Sequence, residues 1–207
     1  MTRKVQFEQH FEDFIHPSTY VNKLLFSGGE DGGLQLWNIM SDEKIFDFKE
    51  HIGESVVSCV EQSPVVDIVA VGLENGEILL MNLLYNQVLI KFNQTQDGGK
   101  IKKLSFSSDL ELGVSLLASI TESENGSNVV FWDLNQKKIY SSLQNANAGK
   151  QISDIHFMQN EPILITSSAD GNSIKMWLFE KGLSVPRLLR QRSGHVEPPL
   201  KIRFYGG

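Results

Sequence analysis

Four stretches of the chain repeat one pattern of apolar and polar positions. Each contains an apolar run, a polar turn with glycine, and a second apolar run that ends in a large side chain. The stretches span residues 24–39, 68–83, 116–134 and 163–179. Their closing residues are Trp37, Met81, Trp132 and Trp177, separated by 44, 51 and 45 positions. Such spacing predicts a repeat architecture in which each repeat is one supersecondary unit.

The turn inside each stretch favours a β-hairpin. Its dipeptide is Asp31-Gly32, Asn75-Gly76, Asn125-Gly126 or Asp170-Gly171, and these dipeptides accept the positive φ angles of a tight turn. The flanking runs are rich in residues that favour strands. Further strand candidates precede the hairpins at 11–15, 56–61, 101–106 and 152–157, and follow them at 44–48, 88–92, 138–143 and 187–190. The chain is therefore predicted to be all-β, with about four strands per repeat.

Four short antiparallel strands, the third ending in tryptophan, are typical of a blade of a WD-repeat β-propeller. We predict four blades, approximately at residues 5–50, 51–95, 96–147 and 148–195, and a strand at 200–204 that starts the next blade. The resemblance to WD repeats implies a ring of more blades than the four predicted here, so we expect an incomplete ring. The chain is interpreted as an internal piece of a longer protein or half of an intermolecular ring. Open blade edges expose apolar surface and favour self-association of the isolated chain.

The resemblance to WD repeats also implies structural positions within each blade. In that family a turn aspartate six residues before the tryptophan joins a serine or threonine, a histidine and the indole in one hydrogen-bonded group. The first repeat fits this pattern with Ser27, Asp31 and Trp37. The second repeat has Asn75 six residues before Met81, and methionine offers no N–H donor.

The third and fourth repeats depart from the pattern in other ways. The third closes with Trp132 but has glycine at the position of the acid. In the fourth, Asp170 precedes Trp177 by seven residues, and Thr166 lies four residues before Asp170. The single Gly-His dipeptide places His195 as a structural turn residue. We expect apolar packing to stabilise such degenerate repeats more than these polar groups do.

Composition narrows the class of protein. Of 207 residues, 41% are hydrophobic and 21% are charged, which argues against wholesale disorder. The single cysteine, Cys59, excludes an intrachain disulfide and fits a reducing compartment. We find no signal-peptide pattern and no apolar run long enough to cross a membrane.

Charge is concentrated at one end of the sequence. Residues 181–207 have a net charge of +5, although the whole chain has −6, which leaves −11 for the first 180 residues. The candidate partner-binding residues are Arg187, Arg190, Arg192, Lys201 and Arg203. They either form a solvated basic edge or bind an acidic partner or RNA phosphate. We favour protein contacts over direct RNA binding, because the overall charge is negative and no base-stacking motif is present.

No constellation of catalytic residues is found. The glycine-rich segment 27–33 lacks both the GxGxxG order and the lysine of a phosphate-binding loop. The five histidines are scattered, and no cysteine pair accompanies them, so neither a metal nor a cofactor site is predicted. We interpret the protein as a non-enzyme.

Several stretches outside the generic repeat point to one family. They lie at residues 16–23, 33–39, 64–72, 75–83, 88–92, 131–134, 161–166 and 194–206, and the first reads HPSTYVNK. In this order they resemble the family of WD-repeat subunits of the U-three small nucleolar ribonucleoprotein (U-three-protein twenty-one in one nomenclature, WD-repeat protein thirty-six in another), over about residues 11–206. A longer turn at 121–127 and the loop at 97–99 depart from the pattern and are interpreted as surface insertions.

The resemblance implies a function that composition alone does not. Members of this family have two propellers in tandem and a C-terminal domain, and this chain would correspond to a central part of the N-terminal propeller. The implied role is a nucleolar scaffold in the UTP-B subcomplex of the small-subunit processome, where U-three snoRNP supports pre-rRNA processing. The implied partners are UTP-B proteins and the U-three snoRNP. The alternative hypothesis is a generic WD-repeat adaptor outside ribosome biogenesis.

Overall fold

Four antiparallel sheets make up nearly all of the regular structure in a computed structural model of the chain. The structure describes residues 9–12, 23–28, 33–65, 67–82, 85–93, 99–108, 113–123, 126–144, 146, 150–169 and 172–203. Within these ranges, no helix is both long and apolar enough to cross a membrane.

Each sheet contains four strands that pair in sequence order, and we refer to the sheets as blades 1–4. Blade 1 contains β1 (Gln9–Glu12), β2 (Lys23–Gly28), β3 (Leu34–Asn38) and β4 (Glu43–Asp47). The short helix α1 (Lys49–Ile52) leads to blade 2, which contains β5 (Val57–Gln62), β6 (Ile68–Leu73), β7 (Glu77–Asn82) and β8 (Gln87–Asn93). Blade 3 contains β9 (Ile101–Phe106), β10 (Leu116–Ser123), β11 (Gly126–Asp133) and β12 (Lys138–Leu143). Blade 4 contains β13 (Ile152–Phe157), β14 (Ile163–Ser168), β15 (Ser173–Leu178) and β16 (Arg187–Ser193).

This arrangement confirms the predicted all-β class and the four strands per repeat. The strands predicted at 101–106, 138–143 and 152–157 coincide with β9, β12 and β13. The turns between third and fourth strands have one residue with positive φ directly before the fourth strand in blades 1–3, at Asp42, Asn86 and Lys137. A tight reversal at this place joins neighbouring antiparallel strands.

Two sequence interpretations differ from the structure. Residues 121–127, interpreted as a long turn, belong largely to β10 and β11, which pair as far as Ser123 and Gly126. The extra residues of this longer repeat extend β10 and β11, because both strands gain cross-strand hydrogen bonds. The predicted strand at 200–204 is absent over residues 200–203, where no described strand pairs with it, and residue 204 lies outside the described residues. The loop at 97–99 also lies mostly outside them.

Apolar side chains form three cores, each between two neighbouring blades. The core of blades 1 and 2 contains Phe26, Leu34, Leu36, Phe48, Ile52, Val57, Val69, Val71, Leu73, Leu79 and Met81. The core of blades 2 and 3 contains Cys59, Ala70, Ile78, Leu80, Phe92, Ile101, Leu104, Phe106, Leu117, Val130 and Trp132. The core of blades 3 and 4 contains Leu116, Ala118, Ile120, Val129, Phe131, Ala146, Ile152, Ile155, Phe157, Leu164, Trp177 and Phe179.

Strand β7 shows why the middle strands are apolar almost without interruption. Leu79 and Met81 pack toward blade 1, whereas Ile78 and Leu80 pack toward blade 3. Successive side chains of a strand point to opposite faces, and here both faces are covered. Burial of both faces therefore replaces the usual alternation of apolar and polar residues with a continuous apolar run.

The first strands of blades 2, 3 and 4 lie side by side, and serine hydroxyls join them. The single O–H of Ser58 is shared between the Ile101 carbonyl oxygen, 2.5 Å from Oγ, and the Gly72 carbonyl oxygen, 2.9 Å from Oγ. Ser105 Oγ accepts a hydrogen bond from the Phe157 N–H at 2.9 Å. The fourth strands lie at the opposite edge, and every residue of β16 is exposed. The first strands thus form the inner edge of the blades and the fourth strands the outer edge.

Cys59 lies in this inner region and gives a direct test of its burial. Desolvation raises the pKa of the Cys59 thiol to about 12. The thiol therefore remains protonated at pH 8, and the thiolate is the nucleophile. We expect iodoacetamide to modify Cys59 far more slowly in the folded chain than in urea, measured by mass spectrometry. Equal rates in both conditions would contradict the buried position.

Candidate protein-interaction surface

Three blades contain a hydrogen bond between a tryptophan and a hydroxyl group. The Trp37 indole N–H donates to Ser27 Oγ at 3.1 Å, and the Trp177 indole N–H donates to Thr166 Oγ1 at 3.0 Å. In blade 3, the Trp132 indole N–H donates to Ser119 Oγ at 2.9 Å. The structure thus brings together Ser27 with Trp37 and Thr166 with Trp177, two pairs whose members the sequence had singled out.

Ser119 was missed because sequence spacing does not fix its position. It precedes Trp132 by 13 residues, whereas Ser27 precedes Trp37 by 10 and Thr166 precedes Trp177 by 11. The strand register supplies the constant relation. Each hydroxyl residue lies two positions after the residue directly opposite its tryptophan, a diagonal neighbour on the same face of the sheet. Hairpin length changes the spacing in sequence without changing this relation.

Blade 2 has an apolar pair at the same two positions. Met81 lies opposite Val69, so that Val71 takes the place of the hydroxyl residue. Both Val71 and Met81 are fully buried in the core with blade 1. Methionine has no N–H to satisfy, and valine offers no acceptor. The two replacements are therefore matched, and blade 2 buries no unpaired polar group at this place.

The other predicted members of the hydrogen-bonded groups are not joined to these pairs in the described part of the chain. Asp31 and Asp170 lie outside the described residues. His195 is exposed in the segment after β16, and no described hydrogen bond connects it to Trp177 or Thr166. The hydroxyl–indole pairs are the part of the predicted groups that the structure describes.

The residue directly after the tryptophan stabilises the following turn through its side chain, a role that the sequence did not reveal. Asp133 Oδ1 accepts hydrogen bonds from the N–H groups of Asn135 and Gln136 at 2.9 and 2.8 Å. Asn38 Oδ1 accepts from the Met40 N–H at 3.0 Å in the equivalent turn of blade 1. Side chains of this type stabilise turns by replacing backbone acceptors. They position the start of the outer strand.

Removing the hydroxyl from a buried pair should be measurable. We expect Ser119→Ala to lower the free energy of unfolding by about 1–3 kcal/mol, because the indole N–H of Trp132 loses its acceptor in a buried site. Ser119→Thr retains the hydroxyl and serves as the matched control, with a smaller loss expected. Urea denaturation followed by fluorescence measures both. Equal losses for the two variants would contradict a hydrogen-bonding role.

The candidate basic residues lie mainly on one face of β16. Arg190 stands opposite Met176 and Arg192 opposite Ile174, and directly opposed residues share a face. Arg187 stands opposite Leu178, and its Nε donates to Glu180 Oε1 at 2.7 Å. This face points away from blade 3, because the intervening Lys175 and Trp177 contact blade 3.

The remaining two candidates follow β16 and are separated from it. The Arg203 guanidinium donates to the Ile202 carbonyl at 2.7 Å and approaches Asp154 Oδ2 at 3.8 Å. Lys201 is exposed. The five candidates thus form a row of three arginines at the outer edge of blade 4 and a second basic pair near its inner edge.

Both end faces of the four-blade unit are only partly covered. Trp37 is half-buried, whereas Trp132 and Trp177 are 2% and 8% exposed between two blades. At the other end, Ile165 and Met176 are half-buried on the face of blade 4 that points away from blade 3. These faces differ from the interior interfaces in having no second described blade against them.

We expect the isolated 207-residue chain to self-associate through these end faces, because exposed apolar sheet surface favours association. Sedimentation velocity at increasing protein concentration should show species larger than the 23.3 kDa chain. A single compact species of monomer mass at tens of micromolar would contradict this expectation.

No group of three or more His, Cys, Asp or Glu side chains among the described residues could hold a metal ion.

Comparison with known proteins identifies relatives of this chain. Residues 1–180 match the family model of the WDR36/Utp21 first β-propeller. The chain is 39% identical over 192 residues to the U3 small nucleolar RNA-associated protein 21 homolog of Schizosaccharomyces pombe, which covers 93% of this chain and 20% of that protein. It is 38% identical over 193 residues to WD repeat-containing protein 36 of Homo sapiens, with the same shares covered. The chain spans about a fifth of the length of these relatives.

Solved structures support the fold. A crystal structure of the RRP9 WD40 repeats superposes with a TM-score of 0.65 at 17% identity, over 84% of this chain and 49% of that chain. A computationally designed protein, Ika8, gives a TM-score of 0.66 at 21% identity, over 94% of this chain and 52% of that one. The four-stranded blades, the hydroxyl–indole pairs and the match over residues 1–180 lead to one conclusion: the chain belongs to the WDR36/Utp21 first β-propeller family.

Proposed function

We propose that the chain is a non-catalytic WD-repeat scaffold of the small-subunit processome, which supports U3 snoRNP-dependent pre-rRNA processing in the nucleolus. The observation that carries this proposal is the similarity over 93% of the chain to proteins named for association with U3 small nucleolar RNA. A fold alone would not assign this role, because WD-repeat propellers serve many functions.

The architecture suits a scaffold. Three apolar cores hold the blades against one another, while the outer strands and turns remain at the surface. Large apolar interfaces fix the relative positions of the surface loops, so several partners can be bound in a defined arrangement. Binding requires no catalytic group, which agrees with the sequence interpretation of a non-enzyme.

We propose other UTP-B proteins and the U3 snoRNP as the partners. Direct RNA contact is the less favoured mode for the arginines of β16, since they border apolar side chains of β15. A phosphate backbone would pair with the arginines and leave the apolar side chains exposed, whereas a protein surface can cover both.

Purification of the native protein from its own cells tests the proposal. A tagged copy at the natural locus is purified, and the bound RNA is sequenced. We expect U3 snoRNA and UTP-B proteins to be enriched relative to a tagged WD-repeat protein of unrelated function. Absence of U3 snoRNA, together with enrichment of another assembly, would favour the generic adaptor and contradict the proposed role.

A further inference from the structure

The turn between β15 and β16 of blade 4 is twice as long as the equivalent turns of the other blades. It consists of the eight residues 179–186, whereas the turns between third and fourth strands in blades 1–3 have four residues each. Leu183 and Val185 of this turn are 52% and 53% exposed, and Leu188 at the start of β16 is exposed as well. Single exposed apolar side chains are common, but several on one short segment are typical of a binding surface.

Hydrogen bonds hold this long turn in one conformation. Arg187 Nε donates to Glu180 Oε1 at 2.7 Å across the base of the turn. Within the turn, the Leu183 N–H donates to the Glu180 carbonyl at 3.0 Å, and Pro186 is buried. The turn therefore needs little further ordering when a partner binds to its apolar side chains.

Blade 3 contributes to the same surface. The Tyr140 O–H of β12 donates to the Leu183 carbonyl at 3.2 Å, which brings the outer strand of blade 3 next to the turn. Leu188 stands opposite Trp177, whose side chain lies in the core with blade 3, so Leu188 points toward that blade. We refer to this surface at the boundary of blades 3 and 4 as the rim patch, which consists of Tyr140, Leu183, Val185 and Leu188.

Lysines lie beside the rim patch on both blades. Lys138 is on the face of β12 that is directed to blade 4, because it stands opposite Asp133, two positions after Phe131 of the core with blade 4. Lys181 precedes Leu183 by two positions in the turn. Both lysine side chains are exposed. An apolar surface with positive charge at two sides is thus present at this boundary.

The positive charge is not neutralised within the segments that form the rim patch. Residues 134–143 and 179–189 contain four basic residues and one acidic residue, Glu180. Glu180 already forms an ion pair with Arg187. The three lysines of the two segments therefore have no carboxylate partner within them, which leaves their charge available to an acidic partner.

The outer edge of blade 1 has the opposite charge. Its turn also exposes an apolar side chain, Met40. The residues that follow, 42–47, include three acidic residues and one lysine. This lysine, Lys44, already binds Asp47 Oδ2 through its Nζ at 3.2 Å. A partner attracted by the rim patch is therefore repelled by the equivalent place on blade 1, so charge makes the two surfaces selective.

An acidic protein segment fits the rim patch better than RNA does. Leu183, Val185 and Leu188 are aliphatic and offer no ring on which a base could stack. The Tyr140 ring is half-buried, and its hydroxyl is bound within the protein. Phosphates would pair with the lysines and leave the aliphatic side chains in water, whereas an acidic segment with apolar residues covers both.

We propose that the rim patch binds an acidic segment of another protein, whose apolar side chains cover Leu183 and Val185 and whose carboxylates pair with Lys138 and Lys181. The apolar contacts supply most of the affinity, because exposed ion pairs contribute little, and the lysines select the partner. The inference goes beyond the proposed function and does not depend on it, since a WD-repeat scaffold of any role can bind such a segment.

Site-specific photo-cross-linking in the native full-length protein, expressed in its own cells, tests the proposal. Val185, which is exposed, is replaced by benzoylphenylalanine, and mass spectrometry sequences the peptide that becomes linked. We expect a segment of another protein that contains apolar residues and more acidic than basic ones. The same replacement of Met40 is the matched control and should not link to that segment. A link to RNA, to a second copy, to the same polypeptide or to a segment without excess acidic residues would overturn the proposal, as would no link.

Charge reversal measures the contribution of the lysines in the same experiment. Lys138→Glu with Lys181→Glu should lower the yield of the link from position 185 by at least about fivefold, because attraction becomes repulsion. Lys49→Glu, an exposed change beside blade 1, is the control and should leave the yield unchanged. Thermal unfolding of each variant verifies that the fold is retained, as expected for exposed substitutions. An unchanged yield in the double variant, or an equal fall with Lys49→Glu, would overturn the ionic contact.

Discussion

Phe131→Ala should lower the free energy of unfolding by about 3–5 kcal/mol. The Phe131 side chain is fully buried between blades 3 and 4, and its ring meets Phe179 edge-on with centroids 5.0 Å apart. Its removal loses apolar contact area and leaves a cavity that the two packed sheets cannot fill by shifting toward each other. Urea denaturation monitored by tryptophan fluorescence, at concentrations below those that cause self-association, measures the loss.

Phe131→Leu is the matched control, because it retains most of the apolar volume at the same site. We expect it to cost clearly less than the alanine variant. If Phe131→Ala cost less than about 1 kcal/mol, the interface between blades 3 and 4 would not be a close-packed core. The account of stability through packing between blades would then be wrong.

Gly72→Ala is expected to have the next largest effect, of about 1–3 kcal/mol or more, from overpacking. A Cβ atom at position 72 would lie 2.6 Å from Cys59 Sγ and 2.6 Å from Ile101 Cγ2. These atoms belong to β5 and β9, so that the inner strands of blades 2 and 3 would have to move apart. The Gly72 carbonyl also accepts the hydrogen bond from Ser58 Oγ at 2.9 Å.

Gly113→Ala separates crowding from backbone strain. Gly113 has a φ of +70°, but a Cβ atom there would meet nothing within 4 Å. This control should therefore show only the smaller cost of a side chain at positive φ. In addition, Gly72→Ala should increase the rate of Cys59 alkylation relative to the parent chain. A tolerated Gly72→Ala with unchanged Cys59 reactivity would contradict the close approach of β6 to β9.

Much of the fold could be predicted from the sequence because each repeat has an Asx-Gly dipeptide between two strand-favouring runs, and several middle strands, such as β6 and β7, are almost continuously apolar. Three strands, β9, β12 and β13, have the predicted bounds. The segment 121–127 was misinterpreted because its Glu, Asn, Gly and Ser residues are typical of turns. Strand pairing determines the conformation of its described residues, 121–123 and 126–127, instead.

The hydroxyl–indole pairs show where reasoning from sequence spacing reaches its limit. Spacing from the turn aspartate points to Ser27 and Thr166 but not to Ser119, because the third repeat has no aspartate at that position and its hairpin is longer. The invariant is a diagonal relation across two strands, which requires the register. The match between Val71 and Met81 in blade 2 also becomes visible only once their strands are paired.

The sequence likewise did not determine which face of β16 the arginines occupy. Arg190 and Arg192 alternate with Gln191 and could point to either face, and a one-residue shift in register would have reversed them. The register shift opposite Met176 and Trp177 leaves Leu189 of β16 as an extra residue, and this places Arg187 on the same face as Arg190 although the two are three positions apart. In blade 2 the equivalent positions hold Ile90 and Phe92, which are half-buried and buried against blade 3, whereas in blade 4 both positions carry charge.

The role that we propose for the protein is a scaffold in maturation of the small-subunit rRNA. The most direct measurement is depletion of the native protein in its own cells, followed by quantification of pre-rRNA and mature rRNA of both ribosomal subunits. We expect unprocessed precursor to accumulate and mature small-subunit rRNA to fall while large-subunit rRNA is maintained, with recovery on re-expression. Unchanged processing after complete depletion, or an equal loss of both mature rRNAs, would contradict it.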